Sequence, residues 1–363
     1  MGIFELMDEH EHEEVMFCYN AATGLRAIIA IHDSTLGPAL GGTRMWNYRS
    51  EAEALSDALR LSRSMTYQAA VADCDTGGGK AVLWGDPFRD KSEAYFRAFG
   101  RFVEGLRGRF ITYGDLGTTS RDLRYIRRET GHVAPFAAET TPAGAESSKL
   151  TAYGVFCGMK ACCKKVFGDS SVKGRRIVVQ GVGEVGRHLV RVLAGEGAEI
   201  TITDVVFDAM KKVQDETSAV DIVRPEDIFK CNCDIFSPCA LGGVITSANV
   251  GDLRCKIVAG AAYNVLESDE VGDVLHSRGI LYAPDFVISA GEIFQSADRM
   301  RPASEKEAIE RAEGIFDVLV QVFDRAEREG IPPLRAARKM ALERIAAVGQ
   351  VRSILCRPAA ASE

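Results

Sequence analysis

The segment Arg175-Arg-Ile-Val-Val-Gln180, continued by Gly181-Val-Gly183-Glu-Val-Gly186, decides the fold. Ile177–Gln180 is short, apolar and β-branched, the composition of a buried strand. Three glycines at this spacing follow, and His188–Leu193 then has the pattern of a helix. Gly181 permits a tight turn. Gly183 lets a ligand approach the backbone, and Gly186 lets the helix lie close on the strand. Glu184 and Val185 stand at the helix start, where free N–H groups and positive potential favour a phosphate. A second strand, Glu199–Thr203, ends at Asp204, 18 residues past Gly186. An acid there accepts hydrogen bonds from ribose hydroxyls and repels a 2′-phosphate. Val205 and Val206 follow it, with no arginine close by, so the pattern predicts NAD rather than NADP.

Outward from this point the strand–helix alternation continues, through Asp234–Phe236, Lys256–Ala259 and Ile280–Ala283. That predicts a mostly parallel sheet with helices on both faces. Towards the N-terminus a separate half carries a strand at Leu25–Ile31, a Gly/Pro segment at Leu36–Arg44 and a helix at Glu51–Met65. Gly77–Lys80 leads into a strand Ala81–Trp84, then a helix Ser92–Leu106 and a strand Phe110–Tyr113. Residues 134–150 lack any period and read as the connection. The expected fold is therefore α/β with two domains: a substrate and oligomerisation domain and a Rossmann NAD-binding domain, separated by a cleft. The expected bounds are 1–148 for the first and 149–329 for the second. Two helical segments, Lys306–Glu329 and Pro333–Val348, close the chain.

Composition excludes several other classes. The chain has 363 residues, 46% of them apolar, and a net charge of −7. Nucleic-acid binders normally carry a basic face, so none is expected. No run of 18 apolar residues occurs, so no membrane span is expected. The acidic N-terminus lacks a signal-like apolar run, which predicts a cytoplasmic protein with its ten cysteines reduced. Cys162-Cys163 and Cys231-Asn-Cys233 do not match zinc-ligand spacing, and no metal is expected.

The N-terminal half holds Thr76-Gly-Gly-Gly-Lys80 and, further on, Asp115. The glycines would let backbone fold around a ligand and aim the amine inward. A lysine taken partly out of water releases its proton more readily, and a neighbouring carboxylate can relay it. From spacing alone, a surface lysine on a loop is an equally good reading.

Longer stretches resolve that ambiguity. Ala27-Ile-Ile-Ala-Ile-His-Asp33, Leu36-Gly-Pro-Ala-Leu-Gly-Gly-Thr-Arg-Met-Trp46, Asp57-Ala-Leu-Arg-Leu61 and Gly77-Gly-Gly-Lys80 stand in order in this half. Thr151-Ala-Tyr-Gly-Val155, Pro238-Cys-Ala-Leu-Gly242 and Tyr282-Ala-Pro-Asp285 follow in the other. Together they resemble the leucine dehydrogenase branch of the Glu/Leu/Phe/Val amino acid dehydrogenases, over residues 3 to 350. The resemblance implies that Lys80 polarises the carbonyl or carbinolamine and activates water, and that Asp115 shuttles protons. Hydride would pass between the nicotinamide and the substrate carbon in the cleft. Thr151, Cys239, Ala240, Asn264 and Ser289 would lie along the cofactor. Leu40, Gly41, Met65 and Ile293 would line the substrate pocket. The resemblance also implies a homo-oligomer, from dimer to octamer, ammonia and a keto compound as co-substrates, and C-terminal helices, from about residue 330, returning to the substrate domain.

Four departures fall on ligand-facing positions. Where the family reads Gly-Met-Thr-Tyr-Lys, this chain has Ser64-Met-Thr-Tyr-Gln68. In the family that lysine grips the α-carboxylate; Gln68 can donate a hydrogen bond but carries no charge. Tyr263 replaces an asparagine that also serves the substrate. Tyr113-Gly114-Asp115 stands where Ala-Glu-Asp is usual, so Tyr113 should reshape the side-chain pocket. Glu292 brings a carboxylate towards an apolar pocket, and Ser296 stands where a valine is usual. Arg44 is an alternative carboxylate partner, but the family also has it, which favours a structural role. A retained catalytic pair beside an altered anchor predicts hydride transfer on a non-standard amine or amino acid. The alternatives are ordinary leucine or aromatic amino acid oxidation, reduction of a biosynthetic imine, and a catalytically weak NAD-binding relative.

Overall fold

The computed structural model describes residues 2–134, 145–217, 220–294 and 304–353. Helix α1 (Ile3–His10) leads into a hairpin of β1 (Glu14–Asn20) and β2 (Leu25–Asp33), followed by β3 (Ala39–Trp46). Helix α2 (Glu51–Val71) comes next, and then β4 (Gly77–Trp84), α3 (Glu93–Gly105), β5 (Phe110–Gly114) and α4 (Ser120–Arg127). The five strands form one mixed sheet in the order β1-β2-β4-β3-β5, with β3 parallel to both β4 and β5. Phe96, Phe99 and Val103 of α3 pack under one face of this sheet. Leu55, Ala58 and Leu59 of α2 pack over the other.

The second half opens with α5 (Ala145–Phe167). It continues through β6 (Arg176–Gln180), α6 (Glu184–Gly195), β7 (Glu199–Thr203), α7 (Phe207–Glu216), β8 (Val220–Ile222), β9 (Ile235–Pro238) and β10 (Ile257–Val258). Then come α8 (Asp269–Ser277), β11 (Leu281–Tyr282), the short α9 (Asp285–Ile288), α10 (Glu305–Glu313), α11 (Ile315–Glu329) and α12 (Pro333–Gly349). Its six strands are all parallel, in the order β11-β10-β9-β6-β7-β8. The order reverses between β6 and β9. Ligands of open α/β sheets bind in the crevice at such a switch point. The two-domain α/β expectation holds.

Local expectations needed correction in the N-terminal half. Leu36–Arg44, read as an irregular Gly/Pro segment, contributes most of strand β3. Gly77–Gly79, read as a loop, are the first residues of strand β4. In the strand these glycines allow close packing. A Cβ on Gly78 would meet the Thr66 backbone nitrogen of α2 at 2.2 Å, and one on Gly41 would meet the Gly79 carbonyl oxygen at 1.8 Å. The usual penalty for glycine in a strand is accepted because no other residue lets α2, β4 and β3 approach so closely. Strand β8 was not anticipated, and the C-terminal segment Lys306–Glu329 is divided between α10 and α11. Arg344 of α12 donates to the Cys74 carbonyl and pairs with Asp73 and Asp75 just after α2, so this last helix lies against the first half of the chain.

Candidate active site

Lys80 is 1% exposed although it carries a charge. Such burial requires compensation. Asp115, immediately after β5, supplies it, with Oδ2 2.6 Å from Lys80 Nζ. Arg44 of β3 reaches the same carboxylate oxygen through Nε at 3.0 Å. Burial alone would raise the Asp115 pKa, but the two cations reverse this and hold the carboxyl well below its usual range. The strand order puts β3 between β4 and β5, so the three charges converge from adjacent strands. Gly42 makes room for them: a Cβ there would lie 2.8 Å from Asp115 Cβ and 3.2 Å from Lys80 Nζ.

Helix α2 carries the other end of the site. Its period places Asp57, Leu61, Ser64 and Gln68 along one stripe. Gln68 is fully buried. Its Nε2 lies 3.2 Å from Ser289 Oγ and 2.9 Å from the Tyr263 hydroxyl. Ser289 donates its own proton to the Asp285 carbonyl at 2.6 Å, so its oxygen is the acceptor towards Gln68. That fixes the amide with nitrogen facing Ser289. Ser289 and Tyr263 belong to the nucleotide half, so Gln68 bridges the two halves. Ser64 donates to Asn264 Oδ1 at 2.9 Å and Arg60 to the Leu266 carbonyl at 2.8 Å, continuing the same seam.

The remaining apolar candidates gather in one core cluster that contains Leu40, Met65, Tyr113 and Ile293. Tyr113 donates to the Met65 sulfur at 3.6 Å. Gly41 lies in β3 against the Gly79 carbonyl, with no room for a side chain. The Glu292 side chain and all of Ser296 lie outside the described residues. A cavity of about 270 Å³ opens beside this region, lined by Arg44, Tyr48, Asp57, Leu241 and Tyr263 among others.

The dinucleotide candidates surround the β6 switch point. Gly181 has φ +96°, and a side chain there would strike Ala240. A Cβ on Gly186 would meet the Gly181 carbonyl oxygen at 1.9 Å, whereas one on Gly183 would meet nothing within 4 Å. Gly183 therefore faces open space at the start of α6, as approach of a pyrophosphate requires. Asp204 accepts from the Val182 and Val206 amides, which orients its carboxylate beside the glycine turn. Cys239 bonds back to β6 through its amide, bringing Cys239–Ala240 against the same turn. Glu184 pairs with Arg187 on the helix surface, and Val185 is half-buried beside it. Thr151 is buried on α5, where Gly291 packs against it. These residues fit NAD.

The sequence model described as Glu/Leu/Phe/Val dehydrogenase, dimerisation domain, matches residues 12–132, and that for Glutamate/Leucine/Phenylalanine/Valine dehydrogenase matches 145–206 and 202–352. The chain belongs to this family. It is 48% identical to a leucine dehydrogenase of Geobacillus stearothermophilus, covering 97% of this chain and 96% of that one. It is 43% identical to a phenylalanine dehydrogenase of Thermoactinomyces intermedius, with 97% and 96% covered. The crystal structure of L-tryptophan dehydrogenase from Nostoc punctiforme superposes with a TM-score of 0.75 at 39% identity, covering 96% of this chain and 99% of that one. Family membership makes the protein an NAD(H)-dependent oxidoreductase of the amino acid dehydrogenase class.

Sequence reasoning missed Asp57 and Tyr48 as parts of the site. Asp57 lies eleven residues before Gln68, three helical turns along one face, which is a signal the sequence carries. Among the described residues no helix is long and apolar enough to cross a membrane. None of the nine described cysteines is in a disulfide.

Proposed function

We propose that the protein catalyses reversible oxidative deamination of a non-standard amine or amino acid that is not held by a charged α-carboxylate anchor. The overall change is R₂CH–NH₃⁺ + NAD⁺ + H₂O → R₂C=O + NH₄⁺ + NADH + H⁺. Bound NAD supplies the hydride acceptor, or NADH the donor. Lys80 donates hydrogen bonds to the carbonyl or carbinolamine oxygen and stabilises the negative charge that develops there. Asp115 takes up and returns protons as water adds and ammonia leaves. Thr151, Asp204, Cys239, Ala240 and the Gly181–Gly186 turn hold the cofactor.

The observation carrying the substrate assignment is the state of Gln68. It replaces the family's anchoring lysine, is fully buried, and spends its amide on Tyr263 and Ser289. A carboxylate placed there would displace these bonds and find in Gln68 a neutral donor rather than a cation. Tyr113 adds bulk beside Met65. The test is NADH oxidation with ammonia across a panel of keto acids, ketones and aldehydes. Turnover of compounds without an α-carboxylate supports the reading; absence of turnover across the panel, with NAD bound, contradicts it.

The identity to leucine dehydrogenases favours a second reading, ordinary aliphatic amino acid oxidation. Efficient oxidation of L-leucine by the unmodified protein would establish it. The chain self-associates in this proposal: β1 lies at a sheet edge with Phe17 and Tyr19 43% and 67% exposed, a surface suited to a further copy.

A further inference from the structure

The catalytic pair is wired to the cleft cavity by a second set of charges. Arg44 Nη1 meets Asp57 Oδ2 at 3.1 Å, while its Nε meets Asp115. The Tyr48 hydroxyl donates to the same Asp57 oxygen at 2.6 Å. Lys80 comes from β4, Arg44 from β3, Asp57 from α2, Tyr48 from the segment after β3, and Asp115 from the end of β5. Glu53 and Arg60 line the same cavity but are directed elsewhere, to the Arg49 amide and the Leu266 carbonyl. Both cations sit on Asp115 Oδ2, and the Leu116 amide also donates to this carboxylate.

We propose that Arg44, clamped by Asp57 and Tyr48, is a positioning residue that orients Asp115 and sets how readily it takes up a proton, with Asp57 metering the charge that Arg44 presents. This rests on the catalytic reading of Asp115. Two consequences have opposite signs. Arg44→Gln removes a cation from Asp115 and makes protonation easier. Asp57→Asn removes the anion that partly offsets Arg44, so protonation becomes no easier. If the Arg44–Asp57 pair merely ties β3 to α2, both changes break the same tie and move Asp115 alike or not at all.

The experiment is a ¹³C-NMR titration of carboxyl-labelled aspartate in the full-length protein, with Asp115→Asn identifying the resonance. In the unmodified protein Asp115 stays ionised towards the acid edge of stability. In Arg44→Gln its midpoint rises by roughly 1–3 pH units, the effect of an opposite charge at this range. Arg44→Lys restores most of the shift, and Asp57→Asn gives no rise. An unmoved midpoint in Arg44→Gln, or a rise of similar size in Asp57→Asn, overturns the proposal. If Arg44→Gln does not fold, Arg44→Lys and Asp57→Asn decide it: the first must rise slightly and the second must not. The titration needs no substrate. A shifted midpoint without turnover on any compound would therefore refute the catalytic reading while leaving the positioning role intact.

Discussion

Along one groove of this molecule, two clusters of buried polar side chains behave differently. At one end Lys80, Asp115 and Arg44 form a compact charged set, with both cations within 3.0 Å of one carboxylate oxygen. At the other end, Gln68, Tyr263 and Ser289 form a neutral set that bonds within itself across the seam between the halves. A buried charge must be paired, and a substrate can enter that pairing. A neutral network whose donors already have partners has no such demand. The contrast teaches that the two ends have separate structural origins: adjacent strands build the charged set, and helix α2 with the opposite domain builds the neutral one.

The largest effect should come from the charged end. Lys80→Ala is expected to lower kcat by roughly 10²–10⁴-fold, the range for losing an acid–base group, with cofactor affinity from fluorescence titration little changed. Equal loss of NADH binding would mean that the charged set holds cofactor and that the contrast is misdrawn.

Next is the neutral end. Gln68→Lys adds a charged donor beside Ser289 and should improve kcat/KM for α-keto acids by about 1–3 kcal/mol of binding, measured as NADH oxidation with ammonia. A variant with unchanged preference would show that carboxylate recognition never depended on this position.

A separate effect, on stability rather than turnover, concerns what supports α2. His12 and His32 pack edge to face, and His32 bonds Thr66. Burial, the leading cause, lowers both pKa values to about 3. Folded values below the unfolded one mean that the unfolded chain binds more protons. Stability should be full above about pH 6.5 and fall as the pH drops towards 3. Each residue contributes a slope of about 1.4 kcal/mol per pH unit inside that window. His32→Gln should flatten the decline in Tm, while the ion pair at Asp115 stays intact. An unchanged slope would remove the histidines from the account.

Much of this was legible in the sequence because local and global signals agreed. The Gly181–Gly186 turn, flanked by β6 and α6 and followed by Asp204, needed no tertiary information. The N-terminal half was less legible because packing overrode propensity. Gly41 and Gly42 look like loop residues, yet they belong to a strand whose neighbours approach too closely for a side chain. Asp57 was only half legible: helical spacing puts it on the Gln68 stripe, but that it reaches Arg44 depends on how α2 packs over the sheet. Gln68 was recognised as altered, but that its amide is tied to Ser289 depends on the meeting of two domains, and the sequence does not order that distance.

The most direct test compares two substrates with one carbon skeleton, α-ketoisocaproate and methyl isobutyl ketone, under saturating NADH and ammonia. The account predicts that the unmodified protein gives the ketone a kcat/KM at least comparable to that of the keto acid, and that Gln68→Lys reverses the order. A preference for the keto acid of roughly 100-fold or more, about the worth of a charge-assisted carboxylate bond at 1.4 kcal/mol per tenfold, would contradict it.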